Sequence, residues 1–125
     1  MNRVRDEEIM SLVQISQIKQ NKPVTVFLLK ERINLDNFAE FESITRREQE
    51  NGMQNLVLDL SETPALSSIG VRAIVVIHKL LSADGGNPLK LAAVQPDVRE
   101  VLKIAGITKF IEIYETVDDA VKSFQ

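Results

Sequence analysis

Apolar side chains recur along the chain with two different spacings, and each spacing predicts one kind of secondary structure. Short apolar or alternating runs, typical of β-strands, predict five strands at residues 12–18, 24–29, 56–60, 89–94 and 110–114. Longer stretches in which apolar residues return every three or four positions predict four helices, near residues 36–51, 68–81, 96–105 and 117–124. After two initial strands, the chain therefore alternates helix and strand.

Capping and turn residues support these boundaries. The start signals of the four helices are, in chain order, Asp36, Ser67 or Ser68, Pro96, and Thr116 with Asp119. The stop signals of the first three are Asn51-Gly52, the segment SADGGNP and Gly106. The turn Gln20-Asn21-Lys22-Pro23 joins the first two strands as a hairpin.

The order ββαβαβαβα predicts an α/β fold, a mixed β-sheet with helices packed on it, because each strand-helix-strand unit forms a right-handed parallel crossover. Loops at the carboxyl ends of the strands carry the functional site in such sheets. The segment ETPALSS at residues 62–68 follows the buried strand LVLDL and is one of these loops.

The helix that follows this loop has two unlike faces on a wheel of 100° per residue. Its inward face is predicted to consist of Gly70, Ala73, Ile74, Ile77, Leu80 and Leu81. Its outward row is predicted to consist of Ser68, Arg72 and Lys79, bracketed by Val75 and Val76. Two β-branched residues beside a polar row indicate a contact face. The inward faces of the last two helices are predicted to be Val98, Val101, Leu102 and Ala105, then Val117, Ala120, Val121 and Phe124.

Composition limits what the chain can be. With 125 residues, of which 44% are hydrophobic and 26% charged, it has room for one compact domain. The formal net charge of -3 is spread along the chain, which argues against nucleic-acid binding. The absence of cysteine excludes disulfides, zinc-thiolate sites and thiol nucleophiles.

Nothing in the sequence predicts export or membrane insertion. Residues 1–8 are charged and lack an apolar core and a cleavage site, so we expect no secretory signal. The longest apolar run, residues 73–77, is far shorter than the roughly 20 residues of a membrane span. We therefore expect a cytoplasmic protein.

The serine pair before the second helix has two interpretations. Ser67 or Ser68 can simply cap the helix by accepting a hydrogen bond from a free backbone N–H. A serine at this place is also suited to phosphorylation, because the helix N-terminus stabilises added negative charge.

Catalytic and metal-binding alternatives are weaker. A catalytic triad of His78, Asp59 and a serine is unfavourable, because ten residues of helix place His78 about 15 Å from Ser68. A nucleophile and its base must approach within about 3 Å. Asp118-Asp119 and residues 6–8 are better explained as a helix start and a solvated segment than as metal ligands. The segment ADGGNP lacks the spacing of a phosphate-binding loop. We expect no enzymatic activity and no cofactor.

Three segments together carry a family resemblance: VTVFLLKERIN, NLVLDLSETPALSSIGVRAIVVIHKLL and LKLAAVQPDVREVLKIAGITKFIEIYETVDDAVKSF. In this order and at these spacings they resemble a STAS domain, the fold of sulphate-transporter domains and anti-sigma factor antagonists. The resemblance covers nearly all of the chain from Leu12 and implies a STAS domain at residues 10–125 after a flexible tail at residues 1–9. With no transporter attached, the chain is similar to free-standing anti-sigma factor antagonists.

That resemblance implies a switch. The antagonists are substrates of a serine kinase that is also the anti-sigma factor, and a PP2C-type phosphatase dephosphorylates them. The phosphorylated serine of the family falls on Ser68, with Ser67 as the alternative, and Gly70 matches the family glycine. Ser67 stands where Asp is frequent, Ile69 replaces a Ser or Ala, and the motif G-R-[LI]-D appears as Glu31-Arg32-Ile33-Asn34. These changes leave open an unphosphorylated structural or accessory subunit of a signalling assembly or of a membrane transport system.

The predicted partner surface joins the loops at residues 32–37 and 62–68, which leave two adjacent strands, with the outer row of the second helix. Its predicted residues are Arg32, Asn34, Asp36, Asn37, Thr63, Ser67, Ser68, Arg72, Val75 and Val76.

Overall fold

A computed structural model describes residues 2–3, 8–9 and 11–124. The strands are β1 (Asn2–Arg3), β2 (Glu8–Ile9), β3 (Val13–Lys19), β4 (Val24–Leu29), β5 (Leu56–Asp59), β6 (Leu89–Ala92) and β7 (Glu112–Tyr114). The helices are α1 (Phe38–Glu50), α2 (Ser68–Leu81), α3 (Pro96–Ile104) and α4 (Val117–Lys122), with a 3-10 turn at Ile107–Lys109. The five longer strands and four helices follow the predicted order.

All strands belong to one mixed sheet in the order β1-β3-β4-β5-β6-β7, with β2 also paired to β3. The β3–β4 hairpin is antiparallel, whereas β4, β5, β6 and β7 are mutually parallel. The predicted α/β fold with a mixed sheet is therefore confirmed. Both β1 and β2 pair antiparallel with β3. The flexible tail predicted for residues 1–9 falls largely outside the described residues and stays a prediction.

Two hydrophobic cores cover the two faces of the sheet. The larger core contains residues of α1, α2 and α3, and Leu56 and Leu58 of β5 belong to it. Val57 points to the smaller core, which it shares with Ala120 and Val121 of α4. Successive residues of a strand point to opposite faces, so LVLDL reads as an apolar run because its strand is buried on both sides.

Several helix ends lie where the sequence predicts. The Ser67 hydroxyl accepts a hydrogen bond from the Gly70 N–H at 3.3 Å, and the Thr116 hydroxyl accepts one from the Asp119 N–H at 3.0 Å. Gly106 follows α3 with a φ of 81°, a left-handed conformation that glycine adopts without strain.

Three predicted details are wrong. Asn37, not Asp36, precedes α1, because the N–H groups of Asp36 and Asn37 both donate to Asn34 Oδ1 in a turn before the helix. Ala105 is exposed, since α3 ends one residue earlier. Phe110 is not in β7, because its N–H donates to the Ile107 carbonyl of the 3-10 turn.

A buried lysine connects β6 to the C-terminal segment. Lys90 is only 7% exposed, and its ammonium lies 2.8 Å from Ser123 Oγ, 3.1 Å from a Glu112 carboxylate oxygen and 4.4 Å from the centre of the Phe124 ring. Hydrogen bonds from Lys90 and from the Tyr114 hydroxyl lower the pKa of Glu112, although burial acts in the opposite direction. The hydrogen bond to Ser123 and the contact with the Phe124 ring hold this segment against the sheet, while the ion pair joins β6 to β7.

We expect the buried Phe124 ring to contribute more to the free energy of unfolding than the charge of Lys90. Phe124→Ala should lower the free energy of unfolding by about 3 kcal/mol, because it removes a buried ring. Lys90→Met should stay within about 1 kcal/mol of wild type, since it removes a desolvated cation and leaves Glu112 in contact with water. Urea denaturation of both variants checks this, and an equal loss in the two would contradict it.

Candidate functional site

Two loops meet at the carboxyl ends of β4 and β5. The Ser67 hydroxyl lies 3.3 Å from the Ile33 carbonyl oxygen, and Lys30 forms an ion pair with Glu62 at 3.1 Å. A shallow cleft of about 540 Å³ lies between the loops. Its lining residues are Arg32, Ile33, Asn34, Leu35, Asp36, Ser67 and Ile69. The predicted convergence of these two loops is present.

Side-chain amides hold the first loop rigidly. Asn34 Oδ1 accepts hydrogen bonds from the N–H groups of Asp36 and Asn37 at 2.8 and 3.1 Å. In return, the Asn34 N–H donates to Asn37 Oδ1 at 2.8 Å, and the Asn37 amide donates to the Arg32 carbonyl at 2.9 Å. These bonds satisfy the backbone where α1 has not yet begun, and they fix the direction of the exposed side chains.

The two serines have different environments. Ser67 is half-buried, caps α2 and contacts the neighbouring loop. Ser68 is the first residue of α2 and is exposed. One serine therefore has a structural role, while the adjacent hydroxyl faces solvent at a helix N-terminus.

The exposed row of α2 consists of the residues predicted to face outward. Arg72 and Lys79 are exposed with Ser68. Gly70, Ala73, Ile74, Ile77 and Leu81 are buried, whereas Leu80 is only half-buried.

Val75 and Val76 are both half-buried, but they lie on opposite flanks of α2. Val76 shares its flank with Leu80, whose carbonyl accepts a hydrogen bond from Gln49 of α1. Val75 shares its flank with His78, whose ring lies 5.1 Å from that of Phe110 after α3. Ile69, which lines the cleft, lies two turns before Val76 on the same flank.

Two predicted surface residues are buried. Thr63 is 4% exposed, and its N–H donates to the Leu60 carbonyl. Asn37 is also buried and its amide is used within the loop. The exposed residues among those predicted around the cleft are Arg32, Asn34, Asp36, Ser68 and Arg72.

Leu35 lies inside the predicted loop at residues 32–37, but no sequence pattern singled it out. It is a large apolar side chain, 80% exposed, and it lies in the wall of the cleft. Its neighbours Asn34, Asp36 and Asn37 are polar, so it belongs to no periodic apolar pattern. The one available signal was an isolated leucine inside a polar turn.

His78 and Asp59, which a triad with a serine would need, have other contacts in the described part of the chain. His78 packs on Phe110 at the other end of the helix, and burial followed by the nearby Lys79 charge lowers the pKa of its imidazole. The Asp59 carboxylate accepts the Ser61 N–H at 2.9 Å. Within the described part of the chain, no three His, Asp or Glu side chains are grouped as metal ligands, and no helix is long and apolar enough to cross a membrane.

Known proteins share this fold. A family model described as the STAS domain matches residues 16–120. A candidate anti-sigma factor antagonist from Bordetella bronchiseptica, BtrV, is 28% identical over 93 residues, which are 74% of this chain and 79% of that protein.

Two solved structures superimpose on most of the molecule. The crystal structure of a candidate anti-sigma factor antagonist from Thermotoga maritima gives a TM-score of 0.75 at 23% identity, over 87% of this chain and 92% of that one. The Bacillus cell-fate determinant SpoIIAA in its phosphorylated form gives 0.66 at 13% identity, over 89% of this chain and 99% of that one.

The two serines should respond differently to removal of the hydroxyl. Ser67→Ala should lower the free energy of unfolding by about 1 kcal/mol, because the helix loses its cap and the loops lose a contact. Ser68→Ala should change it by less than about 0.5 kcal/mol, since the hydroxyl is exposed. Thermal or urea denaturation of the two variants checks these structural roles. An equal loss of stability in Ser67→Ala and Ser68→Ala would contradict them.

Proposed function

Because the chain belongs to the STAS domain family, we propose that it is a regulatory binding protein, an anti-sigma factor antagonist switched at Ser68. In this proposal it binds an anti-sigma factor serine kinase and so releases a sigma factor. Phosphorylation of Ser68 by that kinase ends the binding, and a PP2C-type phosphatase restores it. In this proposal the protein catalyses no reaction of its own. Two of the proteins described above, from Bordetella bronchiseptica and Thermotoga maritima, are named candidate anti-sigma factor antagonists.

The observation that carries the proposal is the position of Ser68. It is exposed at the first residue of α2, beside a cleft formed by two fixed loops. A phosphate there would lie near the free N–H groups of the helix start, which stabilise negative charge. The fold would therefore tolerate the modification, whereas a partner packed against the cleft would meet a new dianion.

Ser67 is the weaker candidate for phosphorylation. Its hydroxyl lies between the Gly70 N–H and the Ile33 carbonyl and is half-buried. A phosphate on that oxygen would remove the helix cap and separate the loops. Modification at Ser67 would thus act on the fold as well as on association.

The exposed side chains around the cleft form a small surface of mixed character. Leu35 supplies an apolar anchor, while Arg32, Asp36 and Arg72 supply charges around it. Interfaces of this kind gain most affinity from a few central anchors, with charged residues at the rim guiding association. Arg72 also lies one turn after Ser68, so a phosphate would alter the charge that this part of the surface presents.

A non-phosphorylated accessory subunit of a signalling assembly or a transport system is the competing proposal. It is favoured by the neutral residues Ser67 and Asn34, which stand where family members often carry an acid. The two proposals differ in one measurable property, the transfer of phosphate to Ser68.

Phosphate transfer to Ser68 should be stoichiometric. After incubation with the kinase partner and ATP, phosphopeptide mass spectrometry should find the phosphate on Ser68. Phosphate solely on Ser67 or Thr63 would contradict the assignment. A stable complex without any phosphate would support the accessory role.

Added charge at Ser68 should act on binding rather than on folding. A desolvated, unpaired charge worth about 3 kcal/mol would weaken affinity about 100-fold. Ser68→Asp carries a single charge and should reproduce part of this loss, whereas Ser68→Ala should bind like wild type. Calorimetric titration with the kinase partner, beside a melt of each variant, checks both. If Ser68→Asp binds as tightly as wild type, the electrostatic switch is wrong.

Leu35 and Arg72 should both be needed for partner capture. Leu35→Ser and Arg72→Glu should each weaken the complex by about tenfold or more, because they remove the anchor and reverse a rim charge. Ile104→Ser is the matched control, since Ile104 is also exposed but lies at the end of α3. Normal binding by both variants would place the partner surface elsewhere.

A further inference from the structure

A second exposed apolar site lies at the end of α3, away from the cleft. Ile104 is 79% exposed and Phe110 is 44% exposed. Residues 101–111 read VLKIAGITKFI and contain two lysines but no acid, although the whole chain has a net charge of -3. The acids on either side are Glu100, one turn before Ile104, and Glu112, which is paired with Lys90. Lys103, Ile104, Lys109 and Phe110 are all exposed, and together they form what we call the basic corner.

The fold presents these side chains in a fixed arrangement. Helix α3 ends at Ile104, Gly106 reverses the chain at a φ of 81°, and the 3-10 turn leads into Phe110. The Phe110 ring lies against His78 of α2, with 5.1 Å between ring centres. Lys79 adjoins His78 on α2 and is exposed, which adds a third ammonium on this side of the molecule.

The charge of the basic corner restricts what can cover it. A second copy related by a two-fold axis would bring the same lysines face to face, which is unfavourable. Neither Ile104 nor Phe110 lines the cleft beside Ser67 or the cavities between the loops at the other end of the strands. The apolar side chains protrude between lysines and do not line a groove. This arrangement fits a deformable, negatively charged surface better than a protein segment of defined shape.

We propose that the basic corner docks peripherally on an anionic lipid surface. Ile104 and Phe110 would enter the boundary between headgroups and acyl chains, and Lys79, Lys103 and Lys109 would lie at the anionic headgroups. With so few apolar side chains, the contact is weak and reversible. Each lysine contributes about fivefold to the partition coefficient near an anionic surface.

This contact is compatible with binding at the cleft. His78, which supports Phe110, lies about 15 Å along α2 from Ser68 by helical rise. A molecule on the lipid surface can therefore still present Ser68 and Leu35 to a partner. The lipid contact does not depend on phosphorylation, so its test is separate from that of the proposed function.

Vesicle co-sedimentation of the full chain tests the proposal. Wild type should sediment with vesicles of phosphatidylglycerol and phosphatidylcholine in equal parts, but not with phosphatidylcholine alone, and high salt should reduce the bound fraction. Lys109→Glu should lower the partition coefficient by about 25-fold, because it removes one attraction and adds one repulsion. Ile104→Ser should lower it by about tenfold. Leu35→Ser is the matched control, because it removes an equally exposed apolar side chain at the cleft and should bind like wild type.

Two results would overturn the proposal. The first is sedimentation with anionic vesicles no greater than with phosphatidylcholine alone. The second is an equal loss in Ile104→Ser and Leu35→Ser. If a synthetic acidic amphipathic peptide shifts the amide resonances of residues 103–110 while the vesicles do not bind, the basic corner is a protein-docking site instead. Thermal melts of the variants, expected near wild type, show that lost binding is not unfolding.

Discussion

The contacts of one hydroxyl organise the candidate site. Ser67 accepts the Gly70 N–H and lies at hydrogen-bonding distance from the Ile33 carbonyl, so it caps α2 and joins the loops after β4 and β5. A Cβ at Gly70 would lie 2.5 Å from Leu66 Cδ1, so a larger residue there would force the Leu66 side chain to move. With the cap, the loop and the first turn fixed together, Ser68 has no direction available except outward. The exposure that makes Ser68 a candidate switch thus follows from the packing of its neighbour.

This arrangement also explains how the loop after β4 keeps its shape without the acid common in the family. Asn34 Oδ1 accepts two backbone N–H groups, in the geometry that a carboxylate oxygen would also provide. Ser67 likewise caps the helix, a role shared by Ser, Asp and Asn. Both replacements keep the hydrogen bonds and remove negative charge. Their consequence lies in the charge of the exposed surface around the cleft, not in the fold.

The order of elements could be predicted because burial imposes a regular pattern. The strand Leu56–Asp59 and the inward face of α2 are apolar where the sheet and helices cover them. The features that could not be predicted depend on local hydrogen bonds, which leave no such pattern in the sequence. Phe110 bonds to the 3-10 turn rather than to the sheet, and Asn34 displaces the start of α1. Likewise, the surroundings of Val75 and Val76 depend on which helix packs beside each flank of α2. Leu35 is a single exposed side chain that belongs to no repeating apolar pattern.

The two ends of α2 carry different chemistry, and the rigidity of the helix keeps them apart. Its N-terminus offers an exposed hydroxyl beside a polar cleft, while its last turns support the aromatic contact between His78 and Phe110. A charge added at the first residue is stabilised locally by the helix start and decays within about a Debye length in salt. It can therefore change association at the cleft without disturbing the other end. The distance along α2, about 15 Å from Ser68 to His78 by helical rise, therefore separates the electrostatics of the cleft from the surroundings of His78 and Phe110.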